Sequence, residues 1–143
     1  MLGMLKKYTV ELCPEVHGRL TNNGAPIENQ LIERSLTYAD EEYIDNCYTD
    51  ADGKFSFTAK SIKSRLPGNI LHQPVVRQIL TTYNADKELY IWFTNQYDTA
   101  CPDIYKSHLN NLTAELMNKE EVFELINVET PEFPLVVKSI CSL

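Results

Sequence analysis

The stretch YTDADGKFSF, residues 48–57, decides the fold class of this chain. Its centre, Asp50-Ala51-Asp52-Gly53, predicts a tight turn, because aspartate accepts hydrogen bonds from a turn and glycine adopts a left-handed conformation at little cost. Phe55 and Phe57 then alternate with polar residues, which is the period of a strand with one buried face. The stretch therefore predicts a β-hairpin whose second strand directs two phenylalanines between packed sheets.

Short strand-like segments, punctuated by glycine and proline, continue on both sides of this hairpin. Residues 61–74 and 95–107 predict loops, and segment 104–118 stays open between helix and strand, since its leucines fit both periods. The pattern predicts an all-β antiparallel sandwich of about seven to nine strands with long loops, formed as one domain over residues 1–143. The other predicted strands cover residues 16–21, 30–38, 43–49, 75–83, 88–94, 122–128 and 135–140.

Length and composition suit a globular protein with a real core, at 143 residues and 43% hydrophobic content. No run approaches the roughly 18 apolar residues of a membrane helix. The segment Met1–Leu12 has neither the apolar run nor the small-residue cleavage site of a signal peptide. We therefore expect a cytoplasmic protein without a membrane segment, unless the chain is exported without a cleavable signal.

The formal net charge is −7, from 20 acidic and 13 basic residues. Such a surface repels phosphate backbones, so we expect no nucleic-acid binding. It attracts a basic protein partner and raises the rate of association. The alternative is that this acidity serves only solubility.

The chain has no recognisable catalytic or metal-binding motif. Its cysteines have no metal-ligand spacing, and we expect them to be free thiols. The Asp50–Gly53 turn is not a calcium loop, because the twelfth position of the loop, where a glutamate would be needed, is Ser61. We predict no enzyme activity, metal or cofactor, although dispersed catalytic residues would leave no local motif. The cysteines and histidines are Cys13, Cys47, Cys101, Cys141, His17, His72 and His108.

The segments HGRLT (17–21), NGAPI (23–27) and YTDADGKFSF (48–57) resemble the carboxypeptidase-regulatory-like, or transthyretin-like, group of β-sandwiches. The resemblance covers about residues 15–60. It implies a transthyretin-like or Ig-like sandwich, in which the Gly-x-Pro turn forms one hairpin.

The segments LKKY (5–8), LTY (36–38) and LYIW (89–92) resemble an uncharacterised family of small proteins from Gram-negative bacteria, DUF6795. Genes of this family often lie beside those of secreted antibacterial toxins. The resemblance implies an immunity protein, which binds and neutralises a cognate toxin of the type VI secretion kind by direct contact.

Two polar loops are the predicted contacts with such a toxin. Acidic side chains in these loops would meet a basic cleft of the toxin, and tyrosines would anchor the interface. The predicted contact residues are Asp40, Glu41, Glu42, Tyr43, Tyr97, Asp98, Asp103 and Tyr105.

Two alternatives share the lack of chemistry. One is an adaptor or chaperone module that binds a non-catalytic part of a secreted effector. The other is a small glycan-binding sandwich, with Trp92 and Tyr90 as a stacking platform.

Overall fold

The computed structural model describes residues 6–143, so Leu5 of the LKKY segment and the start of the Met1–Leu12 segment lie outside the described residues. Within that range there are twelve strands, one α-helix and one 3₁₀ turn. The strands are β1 (Tyr8–Cys13), β2 (Val16–Asn22), β3 (Ala25–Pro26), β4 (Leu31–Tyr38), β5 (Glu41–Tyr48), β6 (Lys54–Phe57), β7 (Lys60–Ser64), β8 (Val76–Asn84), β9 (Lys87–Gln96), β10 (Leu112–Glu115), β11 (Glu121–Leu125) and β12 (Leu135–Ser139). The helix is α1 (Asp103–Leu109), and the 3₁₀ turn covers Leu66–Gly68.

One layer is a six-stranded antiparallel sheet in the order β11-β12-β9-β8-β4-β5. Residues alternate between buried and half-buried along β4, as one buried face requires. The apolar run in β9 buries Trp92 against the second layer and leaves its neighbour Phe93 on the outer face. This sheet is the scaffold for the loops described below.

The second layer is made of the β1–β7 pair and of a smaller sheet in which β2 pairs with β3, β6 and β10. The two layers are joined by buried polar contacts: Gln78 Nε2 donates to the Leu12 carbonyl at 3.0 Å, and Gln96 Nε2 to the Glu11 carbonyl at 2.8 Å. The expectation of an all-β sandwich is confirmed. Its strands are more numerous than predicted, because β1, β3 and β7 are not predicted from the sequence and β10 lies in the segment left open between helix and strand.

The fold departs from a purely antiparallel sandwich at β10, which pairs with β2 in parallel from Leu112↔Gly18 to Glu115↔Thr21. Parallel neighbours need a long crossover connection, and here the whole chain between β2 and β10 supplies it.

The predicted hairpin at residues 48–57 is wrong in its pairing. β5 pairs with β4 in the six-stranded sheet, whereas β6 pairs with β2 in the other layer, so the turn carries the chain between layers. The turn itself is as predicted. Asp50 Oδ1 accepts hydrogen bonds from the Asp52 and Lys54 amides at 2.9 Å, and Gly53 has φ +75° with its Cα against the Leu20 carbonyl.

Both phenylalanines of β6 point into the core, as predicted, and each is 5% exposed. The Phe55 ring lies over Gly18, its register partner on β2. A Cβ atom on Gly18 would lie 2.3 Å from that ring, so only glycine fits without a shift.

Arg34 interrupts the apolar face of β4 and is 2% exposed. It is neutralised by Asp45 on β5, which accepts from Nε at 2.9 Å and from Nη2 at 2.7 Å. Its Nη1 donates to the Thr58 carbonyl at 2.7 Å, and its guanidinium lies 4.8 Å from the Phe57 ring centre. Burial lowers the pKa of Arg34, but the hydrogen bonds and charge of Asp45, together with the contribution of Cys13, raise it above its ordinary value.

Glu115, the last residue of β10, holds the β2–β3 turn by hydrogen bonds. Its carboxylate accepts from the amides of Asn23 at 3.0 Å, Gly24 at 2.8 Å and Met117 at 2.9 Å, and from the Thr21 hydroxyl at 3.0 Å. Desolvation raises the pKa of Glu115, but these four hydrogen bonds prevail and lower it to about 2.

Two further predictions are corrected. Residues 61–74 are not one loop, because Lys60–Ser64 forms β7, which pairs with β1. The sequence of β7 alternates only weakly, since Ile62 is its one large apolar residue. Segment 95–107 is not all loop either, since Asp103–Leu109 is helical. Segment 104–118, which the sequence left open between helix and strand, contains both.

Three of the four cysteines, Cys13, Cys101 and Cys141, are buried, Cys47 is half-buried, and all four are free thiols as expected. Within residues 6–143, no helix is both long and apolar enough to span a membrane.

Candidate protein-binding surface

One end of the six-stranded sheet brings four loops together. Tyr38, the last residue of β4, pairs with Val76 at the start of β8, and Val76 pairs with Gln96 at the end of β9. Val137 of β12 pairs with Thr94, so the chain entering β12 lies beside Gln96. The β4–β5 turn, the loop before β8, the loop after β9 and the β11–β12 loop therefore lie side by side, across about 24 Å at the usual strand spacing.

These loops carry an unusual share of exposed apolar side chains. Of the thirteen large apolar side chains exposed in the described residues, eight lie at this end. Single exposed apolar residues are ordinary, but a concentration of them marks an interaction surface. We call the eight residues the apolar rim: Leu66, Ile70, Leu71, Val75, Tyr97, Ile126, Val128 and Phe133.

The most exposed part of the apolar rim is Ile70 and Leu71, at 98% and 89%. The next residue, His72, holds this loop to the sheet: its Nε2 lies 3.0 Å from the Tyr38 hydroxyl, with the rings edge to face at 5.7 Å. The Asn69 side chain also accepts from the Leu71 amide at 2.9 Å. The two apolar side chains are therefore presented by an anchored loop.

The acidic turn, residues 40–42, lies at the same end and consists of Asp40 in the β4–β5 connection and the first two residues of β5. Ala39 and Asp40 both have positive φ, 51° and 65°, as a two-residue hairpin turn requires. Asp40, Glu41 and Glu42 are all exposed. These three predicted contact residues are therefore on the surface, beside the apolar rim.

Tyr43, the fourth residue predicted in this loop, is half-buried on the inner side of β5. Its hydroxyl donates to Glu41 at 2.7 Å, and this hydrogen bond raises the pKa of Tyr43. Lys60 lies 5.4 Å from its ring centre. Tyr43 thus supports the turn from within.

Tyr97 and Asp98, predicted in the second loop, lie between the other loops at this end. Tyr97 is 61% exposed and belongs to the apolar rim. The buried Gln96 holds the loop by donating to the Asp98 carbonyl at 2.8 Å, and Asp98 itself accepts from the Thr99 amide at 2.6 Å.

Tyr105 is not a contact residue, so its predicted role is wrong. It is 0% exposed, and its hydroxyl lies 2.7 Å from the Thr94 hydroxyl while its ring packs edge to face on Trp92. Burial also raises its pKa. Asp103, by contrast, is exposed in the first turn of α1, where its negative charge stabilises the helix by interacting with the positive end of the helix dipole.

The glycan platform predicted at Trp92 and Tyr90 does not exist. Trp92 is 0% exposed and donates its indole N–H to Gln78 inside the core at 3.1 Å. Tyr90 lies half-buried on the outer face of the sheet, against Phe93.

Basic side chains border this surface on the side of the second layer. Lys63 and Arg65 lie at the end of β7, beside Ser64, which accepts a 3.3 Å hydrogen bond from the Tyr38 hydroxyl. The surface is therefore acidic at the β4–β5 turn and apolar along the rim, with basic side chains in the second layer on the same side as Tyr38.

The thiols do not resemble nucleophiles. Burial raises the pKa of Cys13 and Cys141 to about 11 and that of Cys101 to about 12, so each stays protonated at neutral pH. In residues 6–143, no group of three His, Cys, Asp or Glu side chains is placed to hold a metal ion.

A cleft of about 600 Å³ lies away from the apolar rim, between β2, β6 and the loop before β10. Its walls mix polar and apolar side chains and carry charges of both signs, from Arg19, Lys54 and Asp50. The Asp50 carboxylate is already occupied by the turn it caps.

Sequence reasoning missed most of the apolar rim. Its members come from three separate loops that only the register of the sheet brings together. A local signal existed at Ile70-Leu71, an apolar pair inside a segment bounded by Pro67-Gly68 and Pro74.

The family model of a domain of unknown function, DUF6795, matches residues 16–119 of the chain. The chain belongs to the DUF6795 family. The DUF6795 match runs from β2 past β10 and includes the acidic turn, Ile70, Leu71 and Tyr97, while the β11–β12 loop lies beyond it. No curated protein and no solved structure matches the chain.

Proposed function

We propose that this protein is an immunity protein that binds a cognate secreted antibacterial toxin through the apolar rim and the acidic turn. The observation that carries the proposal is the gathering of eight exposed apolar side chains and an acidic turn at one end of the sheet. The function proposed is therefore protein binding, and the partner proposed is a toxin.

The rim has the composition of a protein interface, with apolar and aromatic side chains inside and charged ones at the border. Its span of about 24 Å fits the roughly 800 Å² that each partner buries in a standard complex. Fully burying a side chain such as Ile70 or Leu71 contributes about 1.5–3 kcal/mol. Two such anchors therefore account for several powers of ten in affinity.

The acidic turn suits a partner with a basic cleft. Because Asp40, Glu41 and Glu42 are exposed, their interaction with such a partner is screened by salt and acts mainly on the rate of association. The net charge of −7 favours the same class of partner over the whole surface.

The toxin and its type VI secretion origin come from the family resemblance, and a transthyretin-like fold is proposed for residues 15–60 from their separate resemblance to that group. Fold and family membership alone do not determine function. Neutralisation also requires that the protein meet the toxin in the cytoplasm, which is part of the proposal.

The test is to express the product of the neighbouring gene as the toxin in a bacterium, with and without this protein. We expect growth to be rescued and a complex to co-purify. Replacing Ile70 and Leu71 by lysine should abolish both, while Met117→Lys, at a 56% exposed position outside the rim, should preserve both.

Continued killing beside the intact protein, with no complex, would contradict the immunity proposal for that pair. A complex that forms without rescue would favour the adaptor alternative, because such a module binds a non-catalytic part of its partner. Rescue that survives the double lysine variant would reject the apolar rim as the contact surface.

A further inference from the structure

We infer that β5 is a docking strand to which an extended basic segment of a partner protein adds as a further strand of the six-stranded sheet. This inference rests on the proposed function, because it requires that the partner be a protein. It adds that a segment of this partner binds along β5, starting at the acidic turn. It concerns the free side of β5, which starts at the acidic turn and runs away from the apolar rim.

β5 is an edge strand with an open side. It pairs with β4 through eight consecutive residues, from Leu31↔Tyr48 to Tyr38↔Glu41, without a bulge. Within the part of the chain that the structure describes, its main-chain groups form ladder hydrogen bonds with β4 and with no other element. Every second residue of such a strand presents its N–H and C=O to the free side.

Most of the devices that usually protect an edge strand are missing from β5, which keeps only its acidic side chains, one of which, Asp45, points inward to Arg34. Natural edge strands are short, bulged, interrupted by proline or studded with lysine. β5 has eight residues, no bulge, no proline and no lysine or arginine. The other edge strand, β11, has only five residues.

The side chains of β5 define what can dock. Ile44 and Tyr48 are 63% and 58% exposed and share the outer face, where they can pack against alternate apolar residues of an incoming strand. Glu41 and Glu42 give the strand two negative charges, whereas the charge of Asp45 is paired with the buried Arg34. A second copy of β5 would place like charges opposite one another, whereas a segment with alternating basic and apolar residues complements both features.

The probe is a fluorescent synthetic peptide of about ten residues, a typical strand length, in which valine alternates with lysine and arginine. We expect saturable binding to the intact protein by fluorescence anisotropy. Ile44→Lys should weaken it about tenfold, and so should N-methylation of every peptide amide, which removes the donors but keeps the charge. Val122→Lys, at a 65% exposed position on β11, adds the same charge and should change the affinity by less than about twofold.

Equal binding of the N-methylated peptide would overturn strand addition, because simple charge attraction would then suffice. Equal weakening by Val122→Lys, no binding at all, or a dimer of the free protein that Ile44→Lys dissolves would also overturn it. The two proposals fail separately: loss of peptide binding with intact toxin rescue rejects only the docking strand, and peptide binding without rescue rejects only the immunity role.

Discussion

Asp45→Ala is expected to destabilise the protein by leaving the Arg34 guanidinium charged, 2% exposed and without its carboxylate partner. Breaking a fully buried ion pair from one side costs about 3–5 kcal/mol. Here the Asp45 side chain is 49% exposed, so water can reach the site from the β5 edge. The Thr58 carbonyl also still accepts one hydrogen bond. We therefore expect a loss of about 2 kcal/mol, a large share of the 5–15 kcal/mol typical of a domain.

The assay is urea denaturation of the four proteins of a double-mutant cycle, with Arg34→Met as the second change. The methionine side chain fills most of the buried volume but removes the cation. In that background Asp45→Ala should cost less than about 0.5 kcal/mol, as for an ordinary surface substitution. Glu42→Ala on the same strand is the matched control, since the Glu42 side chain is exposed and accepts its hydrogen bond from the Ser35 hydroxyl, not from a buried cation.

An equal cost of Asp45→Ala in both backgrounds would refute the reasoning. It would mean that Asp45 acts through the backbone of β5 and not through the cation.

Three further predictions concern other parts of the molecule. Glu115→Ala should lower the free energy of unfolding by about 1–3 kcal/mol at neutral pH. The pKa of Glu115 is lowered to about 2 in the folded state, so its contribution to stability is complete above the unfolded pKa near 4.5 and is lost as the pH falls to about 2. Acid titration followed by circular dichroism measures this loss. Gly18→Ala should cost about 1–3 kcal/mol in urea, since its Cβ would meet the Phe55 ring. Charge reversal of Asp40 and Glu41 together should slow association with a basic toxin about tenfold and make it less sensitive to salt, measured by stopped flow.

A specific result would contradict each of these three predictions. An acid-unfolding midpoint of the Glu115→Ala variant equal to that of the parent would contradict the assigned role of the carboxylate. Gly18→Ala should cost less in a Phe55→Leu background, and full additivity would place the clash elsewhere. A change in dissociation rate alone, with association unchanged, would show that Asp40 and Glu41 make close contacts instead of steering the partner.

Strands with one buried face could be predicted from the sequence, because alternation is a local signal. β4 and β8 lie within one residue of their predicted bounds for this reason. β7 could not be predicted, because its sequence contains few apolar residues and its partner strand, β1, lies far away in the sequence. The pairing of β6 with β2 instead of β5 is likewise a non-local choice, although the turn before β6 and the burial of Phe55 follow from the sequence.

The candidate surface was predictable only in part. The charges of the acidic turn and the aromatic ring of Tyr97 could be read as exposed from their polar surroundings. The burial of Tyr105 could not be predicted, because a helix of seven residues is too short for its sequence to show which side is buried. Ile70, Leu71 and Phe133 belong together only through the order of strands in the sheet, which no local pattern reveals.

Hydrogen–deuterium exchange on the complex with the neighbouring toxin tests the central claim most directly. The account predicts that binding slows exchange in the loops at the end of the sheet that carries the apolar rim, at residues 39–42, 69–72 and 97–99. It predicts no change in the β8–β9 turn at residues 84–87, which lies at the opposite end. Protection confined to that turn or to the cleft between β2 and β6, with the rim unchanged, would contradict the account.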